Sequence, residues 1–407
     1  MSNAYASRTS GGRRHRILII GGGNAGISVA ARLQRIGQSD VALIEPSSMH
    51  YYQPAWTLVG GGAYAQESTA RHMKSVIPSG VQWIQDRAVR IDADAGKVDT
   101  ELSGEIGYDF LVVAPGLQLD WDRISGLREA LQTPGVSSNY TFELAPRTWQ
   151  YLQSFDGGTA LFTCPPMPIK CAGAPQKIMY MACDYFRRRD IHGKSQVIFG
   201  TATPSMFAVP EYAAILERVV ERYGIDVRYQ HNLVRVDPER REAVFEAIEG
   251  DQRREVCIHY DFLHVVPPQS APDFIKTGSL ADATGWVDVD MHTLRHTRFP
   301  NVFALGDATN TPNTKTGAAV RSQAPVLVAN LLAAMSEKNL PASYGGYGAC
   351  PLVTSYHSVL LAEFDYSKKP TPTFPLIDTM KERRDMWLLK RYGLPWFYWN
   401  LMLKGRV

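Results

Sequence analysis

One stretch near the start of the chain decides its fold: Ile17-Leu18-Ile19-Ile20-Gly21-Gly22-Gly23-Asn24-Ala25-Gly26. Its first four residues are apolar, which is typical of a strand buried on both faces of a parallel sheet. The pattern G-x-G-x-x-G follows at once, and residues 27–33 then have helical character. A second apolar strand, residues 41–44, ends in the acid Glu45, roughly 20 residues after the glycines. The sequence therefore predicts a strand–turn–helix–strand unit that binds a dinucleotide.

The glycines and the acid have distinct tasks in such a unit. Gly21 allows the tight turn, Gly23 lets the backbone approach a pyrophosphate, and Gly26 lets the helix pack closely against the strand. Asn24-Ala25 opens the helix, whose free N–H groups and positive dipole end attract phosphate. The Glu45 carboxylate can accept hydrogen bonds from both hydroxyls of an adenosine ribose and would repel a 2′-phosphate. We therefore expect FAD or NAD rather than NADP at this site.

The rest of the chain fits an α/β fold of the FAD/NAD-linked reductase type. It has two Rossmann-like dinucleotide-binding domains and a C-terminal membrane-interface segment. A buried strand ends at Ala114-Pro115-Gly116, a turn similar to the one that closes the first domain of two-dinucleotide flavoproteins, and Gly306-Asp307 ends the strand that returns to it. The expected divisions are a disordered lead 1–14, an FAD-binding domain 15–123 and 284–343, a second Rossmann-like domain 124–283, and a C-terminal region 344–407.

Further residues are candidates to hold a flavin. Asp307 can present its carboxylate to a ribitol hydroxyl, and Lys315-Thr316 begins a helix whose positive end could stabilise negative charge at the flavin N1–C2=O edge. A solvated lysine at a helix start is the alternative interpretation. The other candidate contacts are Gln53, Pro54, Val89, Gly116 and Gly306.

The second domain lacks a nucleotide fingerprint where we expect one. The strand Gln196–Gly200 is followed by Thr201–Pro210, which contains two prolines and no glycine-rich turn. We therefore expect this domain not to bind NAD(P)H.

The cysteines are odd in number and widely spaced, which excludes a disulfide scaffold and gives no zinc-ligand spacing. They are Cys164, Cys171, Cys183, Cys257 and Cys350. Cys171 lies next to Lys170 and just before a helix that begins at Pro175, and both features would lower its thiol pKa. A buried, unreactive thiol is the alternative for Cys171.

Composition and the C-terminal tail indicate the surroundings of the protein. The net charge of +3 and the absence of a basic stripe argue against nucleic acid. We find no apolar run of about 18 residues, as a membrane span requires. The segment Met386–Lys404 holds three of the eight tryptophans among basic residues, which fits a segment in the lipid headgroup layer. A dimer interface or a packed helix pair is the alternative. The polar N-terminus without a signal core favours a peripheral protein at the cytoplasmic face of a bacterial inner membrane, and a mitochondrial origin stays open as the alternative.

The sequence resembles the sulfide:quinone oxidoreductases, in particular the branch that includes the mitochondrial animal enzyme. The resemblance runs from Ile17 to Gly405 and is most specific in the stretches 52–60, 170–180, 285–290, 350–354 and 361–366. It implies a non-covalent FAD, a redox disulfide between Cys171 and Cys350, and a quinone site at the membrane face. The residue after Gly306-Asp307 departs from the animal enzyme, since Ala308 replaces a cysteine.

The resemblance also implies a reaction. Hydrosulfide would attack the Cys171–Cys350 disulfide, the persulfide sulfur would pass to an acceptor such as glutathione or sulfite, and two electrons would pass through FAD to ubiquinone or a related quinone. A homodimer is compatible with the sequence. Three alternatives stay open: an NADH:quinone reductase on the same scaffold, a non-catalytic flavin redox sensor, and a soluble sulfide dehydrogenase that delivers electrons to a cytochrome.

Overall fold

A computed structural model describes residues 13–250, 252–374 and 376–407. Most of the predicted lead, residues 1–12, lies outside this range, and Arg14 already belongs to the first strand. The strands are β1 Arg14–Ile20, β2 Val41–Ile44, β3 Met49–Tyr51, β4 Ala70–His72, β5 Val81–Ile84, β6 Ala88–Asp92, β7 Lys97–Thr100, β8 Gly104–Val113, β9 Gln118–Leu119, β10 Val136–Ser137, β11 Gly158–Cys164, β12 Ser195–Thr201, β13 Asp226–Arg228, β14 His231–Asp237, β15 Glu242–Glu249, β16 Gln252–His259, β17 Phe262–His264, β18 Gln269–Ser270, β19 Val302–Ala304, β20 Gly348–Ser355 and β21 Ser358–Phe364.

The helices connect and cover these strands. They are α1 Asn24–Arg35, α2 Trp56–Gly60, α3 Met73–Val76, α4 Leu127–Ala130, α5 Ala145–Ser154, α6 Ala174–Arg188, α7 Pro210–Tyr223, α8 Asp273–Lys276, α9 Gly317–Met335, α10 Arg384–Leu388 and α11 Leu394–Asn400. A π-helical turn, Leu389–Gly393, joins α10 to α11.

The first sheet is organised around β1, as its apolar sequence predicts. Its order is β5-β2-β1-β8-β7-β6, with β19 also paired to β8. β1 runs parallel to β2 and β8, and β2 runs parallel to β5. Ile17 and Ile19 pack in one apolar cluster with α1 and α9, while Leu18 and Ile20 pack in another on the opposite face. Both faces of β1 are therefore covered, which is why it contains no polar residue between Ile17 and Ile20.

The second sheet is entirely parallel and corrects one sequence prediction. Its order is β10-β17-β11-β12-β13. In the corresponding order of a nucleotide-binding sheet, the central strand carries the fingerprint turn. That strand is β11, not β12, so the equivalent of the fingerprint turn is the β11–α6 connection, residues 165–173, which contains Cys171. This connection also lacks G-x-G-x-x-G.

Helix α9 contradicts our statement that no segment is long and apolar enough to cross a membrane. Within the described residues, α9 alone meets both criteria, with 19 residues and a mean hydropathy of 1.3. Val320, Ala324 and Leu327 belong to the same apolar cluster as Ile17 and Ile19. The composition of α9 is thus also that of a core helix packed on a sheet.

The C-terminal region returns to both sheets. The antiparallel pair β20–β21 sends Cys350, Leu352 and Ala362 into the cluster that contains α6. Farther along the chain, α11 and the last residues pack against α1, because Tyr398, Trp399 and Leu403 join the cluster of the first sheet. The tail therefore covers the helix that follows the glycine turn.

Candidate active site

One cavity of about 700 Å³ runs from the glycine turn, past Cys171, to the aromatic tail. The predicted site residues that line it are Gly23, Asn24, Ala25, Glu45, Gln53, Pro54, Gly116, Cys171, Asp307, Lys315 and Thr316. Gly21, Gly26 and Gly306 lie behind its wall, in the turns that shape it. Val89 is 43% exposed on a strand surface and does not line it, so the structure does not bring this residue to the others.

The glycine turn has room for a pyrophosphate. A Cβ atom added at Gly23 would meet no protein atom within 4 Å, whereas one at Gly26 would lie 1.8 Å from the Gly21 carbonyl oxygen. Gly26 is thus required for helix packing, and the space at Gly23 faces the cavity. Asn139 also lines the cavity, and neither polar atom of its buried side chain has a hydrogen-bond partner among the described residues. These features fit a polar ligand of the size and charge of FAD.

Glu45 lies beside the glycine turn and lines the cavity. Its carboxylate accepts hydrogen bonds from the backbone N–H groups of Gly22 at 2.7 Å and Ser47 at 2.8 Å. Burial raises the pKa of this carboxyl, and the two hydrogen bonds act against that rise. The acid is therefore anchored to the glycine turn itself, in position to accept from ribose hydroxyls.

Lys315 is less free than the sequence suggests. Its ammonium donates to the carbonyl oxygens of Asp307 and Thr309, both at 2.8 Å, and lies 3.8 Å from the centre of the Trp286 ring. Burial lowers its pKa to about 8. The exposed positive element at this end of the cavity is instead the start of α9, where Thr316 caps the helix by accepting from the Ala319 N–H.

Cys171 and Cys350 meet although 179 positions separate them. Their Sγ atoms lie 3.3 Å apart, as two thiols in contact rather than a disulfide. The Cys171 backbone is held in an uncommon left-handed conformation, with φ of 54°, and its N–H donates to the Lys315 carbonyl at 2.8 Å. At Gly173, a Cβ atom would lie 2.7 Å from the Cys350 sulfur, so this glycine permits the approach.

The cation at the sulfur pair is Lys177, which sequence reasoning missed. Its Nζ donates to Cys171 Sγ at 3.0 Å, whereas the ammonium of Lys170 donates to Gln53 Oε1 at 2.8 Å. The prediction that Lys170 lowers the pKa of the Cys171 thiol is therefore wrong, because the lysine in contact with that sulfur is Lys177. A helix that begins at Ala174 places Lys177 one turn later, back toward the loop, and that spacing could have revealed it.

The two thiols are not equivalent. A hydrogen bond from Cys350 holds the pKa of Cys171 well below its ordinary value; burial opposes this, and Lys177 reinforces it. The same hydrogen bond, together with burial, raises the pKa of Cys350. Burial disfavours the charge of Lys177, but the two sulfurs outweigh it and raise its pKa. In the reduced protein, the surroundings therefore favour a thiolate at Cys171 over a thiolate at Cys350.

A second buried lysine lies close to this pair. Lys390, in the π-helical turn, is 3% exposed and donates to the Pro54 carbonyl at 2.8 Å. Burial, followed by repulsion from Lys177, lowers its pKa to about 7. No sequence signal marked this residue, because a lysine among tail aromatics also fits a membrane surface.

The fold and this site define a class of protein. Two sheets with dinucleotide-type strand order and an FAD-sized cavity lined by Cys171 are those of a flavoprotein of the FAD/NAD-linked reductase type. The family described as pyridine nucleotide-disulphide oxidoreductase matches residues 15–145. The predicted α/β fold class is confirmed, and the cofactor of this class is FAD.

Similarity to known proteins over nearly the full length of the chain identifies a family within this class of flavoproteins. The chain is 46% identical to the mitochondrial sulfide:quinone oxidoreductase of Mus musculus, over 96% of this chain and 87% of that protein. It is 42% identical to the mitochondrial enzyme of Dictyostelium discoideum, over 96% and 86%. The solved sulfide:quinone oxidoreductase of Aquifex aeolicus shares the fold, with a TM-score of 0.77 and 20% identity over 97% and 92% of the two chains. The chain belongs to the sulfide:quinone oxidoreductase family. The two curated relatives are mitochondrial, so they give no support to the predicted bacterial inner membrane.

Proposed function

We propose that this protein oxidises sulfide through Cys171 and Cys350 and delivers the electrons to a quinone. One observation carries the proposal: the two sulfurs lie 3.3 Å apart, and Cys171 lines the cavity that also contains the glycine turn. Family membership supports the same reaction. The β11–α6 connection supports electron entry through sulfur, because it holds Cys171 where a nicotinamide-binding domain carries its glycine turn.

The residues that would hold FAD follow from the cavity. Gly23 and Asn24 would hold the pyrophosphate, Glu45 would bind the ribose, and Asp307 would bind the ribitol chain. The start of α9 at Thr316 offers free N–H groups and a positive dipole end to the flavin pyrimidine. When bound, FAD supplies two-electron exchange between a dithiol and a quinone.

The sulfur step begins from the Cys171–Cys350 disulfide. Hydrosulfide attacks the Sγ of Cys350, a sulfur–sulfur bond forms there as a persulfide, and the Cys350–Cys171 bond breaks. Cys171 leaves as a thiolate with the electron pair of the broken bond. Because Lys177 donates to this sulfur and lowers its pKa, Cys171 is the better leaving group of the two.

The persulfide sulfur must then leave for the cycle to continue. A nucleophile such as sulfite or the glutathione thiolate attacks the outer sulfur of the persulfide and takes it, and Cys350 departs as a thiolate. Loss of two electrons from the Cys171–Cys350 dithiol restores the disulfide. Lys177 and Lys390 give this part of the cavity the positive charge that suits anionic acceptors.

The other end of the cavity suits a quinone. The apolar residues there are Met386, Leu389, Leu394, Trp396, Phe397 and Phe374. Leu388, Tyr392 and Trp396 repeat every four residues and are 49%, 59% and 58% exposed. This exposed stripe would rest in the headgroup layer of a membrane, so that a quinone can enter from the bilayer. The protein would then be a peripheral membrane protein.

The test is anaerobic mixing of the FAD-loaded protein with sulfide, monitored by flavin absorbance. Sulfide should bleach the flavin of the normal protein and of a Cys257→Ser control, in which an exposed strand cysteine is replaced. Cys350→Ser and Cys171→Ser should each abolish bleaching while FAD stays bound. Normal bleaching of Cys350→Ser would reject the proposal. Fast bleaching by NADH would instead favour an NADH:quinone reductase, and bleaching by neither reductant would favour a redox sensor.

A further inference from the structure

A second, smaller depression lies where the end of the chain meets α1. It has a volume of about 390 Å³ and is separate from the cavity described above. It lies between the C-terminal end of α1, the loop after α3 and the last residues of the chain. Its lining residues are Ala31, Gln34, Arg35, Val76, Ile77, Pro78, Ser79, Leu403, Lys404 and Arg406. We call it the tail pocket.

The tail pocket concentrates uncompensated positive charge. Among the described residues, none of its three cations, Arg35, Lys404 and Arg406, forms an ion pair. Arg32 lies one turn before Arg35, and its Nε is buried without a hydrogen-bond partner in that part of the chain. The negative dipole end of α1 accounts for Arg32 and Arg35, but it does not require Lys404 and Arg406 to converge on the same place.

The other side of the tail pocket is apolar. Val76, Ile77 and Pro78 form a short hydrocarbon wall next to the cations. A phosphate diester suits the three cations, and an attached acyl chain suits this wall. A free anion would use only the first of these two features.

The position of the pocket favours a phospholipid headgroup over a free anion as its ligand. Lys404 follows Trp396 by eight residues, and Trp396 is the last member of the exposed stripe Leu388, Tyr392 and Trp396. The short segment 397–403 therefore joins Lys404 in the pocket to the surface that the proposed function assigns to the membrane. We propose that the tail pocket binds the phosphate of an anionic phospholipid and so fixes the protein on the bilayer.

The test measures binding of the full-length, FAD-loaded protein to sedimented vesicles. One set of vesicles contains phosphatidylcholine alone and the other contains phosphatidylcholine with phosphatidylglycerol. The variant Arg35→Gln/Lys404→Gln/Arg406→Gln is compared with Arg123→Gln/Lys194→Gln/Arg240→Gln. The second variant loses the same charge at exposed positions away from the tail.

We expect the normal protein to prefer anionic vesicles, and the tail-pocket variant to lose on the order of a hundredfold in that preference, since each cation at an anionic surface contributes a roughly fivefold gain. The control variant should keep the preference. Equal losses in both variants, or no loss in the tail-pocket variant, would overturn the assignment. Saturable binding of inorganic phosphate without any vesicle preference would also overturn it. Sulfide-dependent reduction of a soluble quinone analogue, measured without vesicles, should be equal in all three proteins. Loss of this activity would count against the proposed function and would not bear on lipid binding by the tail pocket.

Discussion

Tyr398 Oη lies 2.7 Å from His50 Nε2, and the same imidazole contacts the Gly22 carbonyl oxygen through Nδ1 at 2.9 Å. Because a carbonyl can only accept, the hydrogen is on Nδ1 and the tyrosine donates to Nε2. Burial lowers the pKa of His50 to about 4, so the ring is neutral at physiological pH. The aromatic tail is thus hydrogen-bonded, through one histidine, to the glycine turn, which we propose binds the FAD pyrophosphate.

The first prediction concerns this connection. Tyr398→Phe leaves His50 Nε2 buried without a partner, which costs about 1–3 kcal/mol. We expect FAD affinity to fall by about tenfold, because the Gly22 carbonyl loses its fixed support. Measurement of FAD dissociation by flavin fluorescence checks this. Tyr392→Phe is the matched control, since Tyr392 is 59% exposed in the same tail. Equal affinities of the two variants would show that the histidine does not position the turn.

The second prediction separates folding from FAD binding. Without FAD, Gly23→Val should have the same melting temperature as the FAD-free normal protein, because φ is −74° there and the new side chain meets no protein atom near its Cβ. It should lose FAD during gel filtration, since the side chain fills the space for the pyrophosphate. Gly193→Val, at an open position elsewhere, should keep both properties. Retention of FAD by Gly23→Val would place the pyrophosphate somewhere else.

The third prediction concerns the thiolate. Lys177→Met removes the cation that donates to Cys171, so the pKa of Cys171 should rise. The thiolate exists above that pKa, and the pH at which iodoacetamide begins to alkylate reduced Cys171 should therefore move upward. Mass spectrometry of the Cys171 peptide gives the rate at each pH. The pH profile of Lys170→Met should match the normal protein, because that ammonium donates to Gln53. A shift in the Lys170 variant instead would reverse the assignment.

The fourth prediction concerns stability. The pKa of Lys390 is lowered to about 7 in the folded chain, whereas an unfolded lysine titrates near 10.4. Between pH 7 and pH 10.4, the Lys390 side chain is protonated in the unfolded chain and largely neutral in the folded chain. Burial of Lys390 therefore lowers the free energy of unfolding very little near pH 10.4 and lowers it most at or below pH 7. Lys390→Met should raise the free energy of unfolding at pH 7 by up to about 4 kcal/mol, less about 1 kcal/mol for the lost bond to Pro54.

Urea unfolding of the reduced protein at pH 7 and near pH 10 tests this. The increase in the free energy of unfolding that Lys390→Met produces should be smaller near pH 10 than at pH 7. Lys338→Met, at an exposed position, should change stability little at either pH. An increase in the free energy of unfolding that is larger near pH 10 than at pH 7 would mean that folding raises the pKa of Lys390 and keeps the side chain charged.

Local sequence was enough to predict the FAD cradle, but not the arrangement of the second sheet. Gly21, Gly23, Gly26 and Glu45 act within one short unit, so their spacing alone indicates their positions. Strand order depends on packing between distant segments, which is why we assigned the missing fingerprint to the turn after β12 instead of the β11–α6 connection. The contact between Cys171 and Cys350 came from the resemblance, since no periodicity links residues so far apart.

Two lysines of the site, Lys177 and Lys390, were not predicted from the sequence, for different reasons. Lys177 follows the start of α6 by one turn, so helical spacing could have identified it, but the adjacent Lys170 was the simpler choice in sequence. Lys390 is buried because the π-helical turn packs under Pro54, and this burial depends entirely on tertiary structure. Val89 is 43% exposed on β6, and the exposed face of that strand could not be recognised from its sequence.

The strand β20 turns alternate side chains to opposite sides. Ala349 and Pro351 face the large cavity, while the Cys350 sulfur points toward α6 and does not line it. The backbone of β20 therefore lies between the Cys350 sulfur and the cavity, and Cys171 is the member of the pair through which a solute in the cavity reaches the two sulfurs.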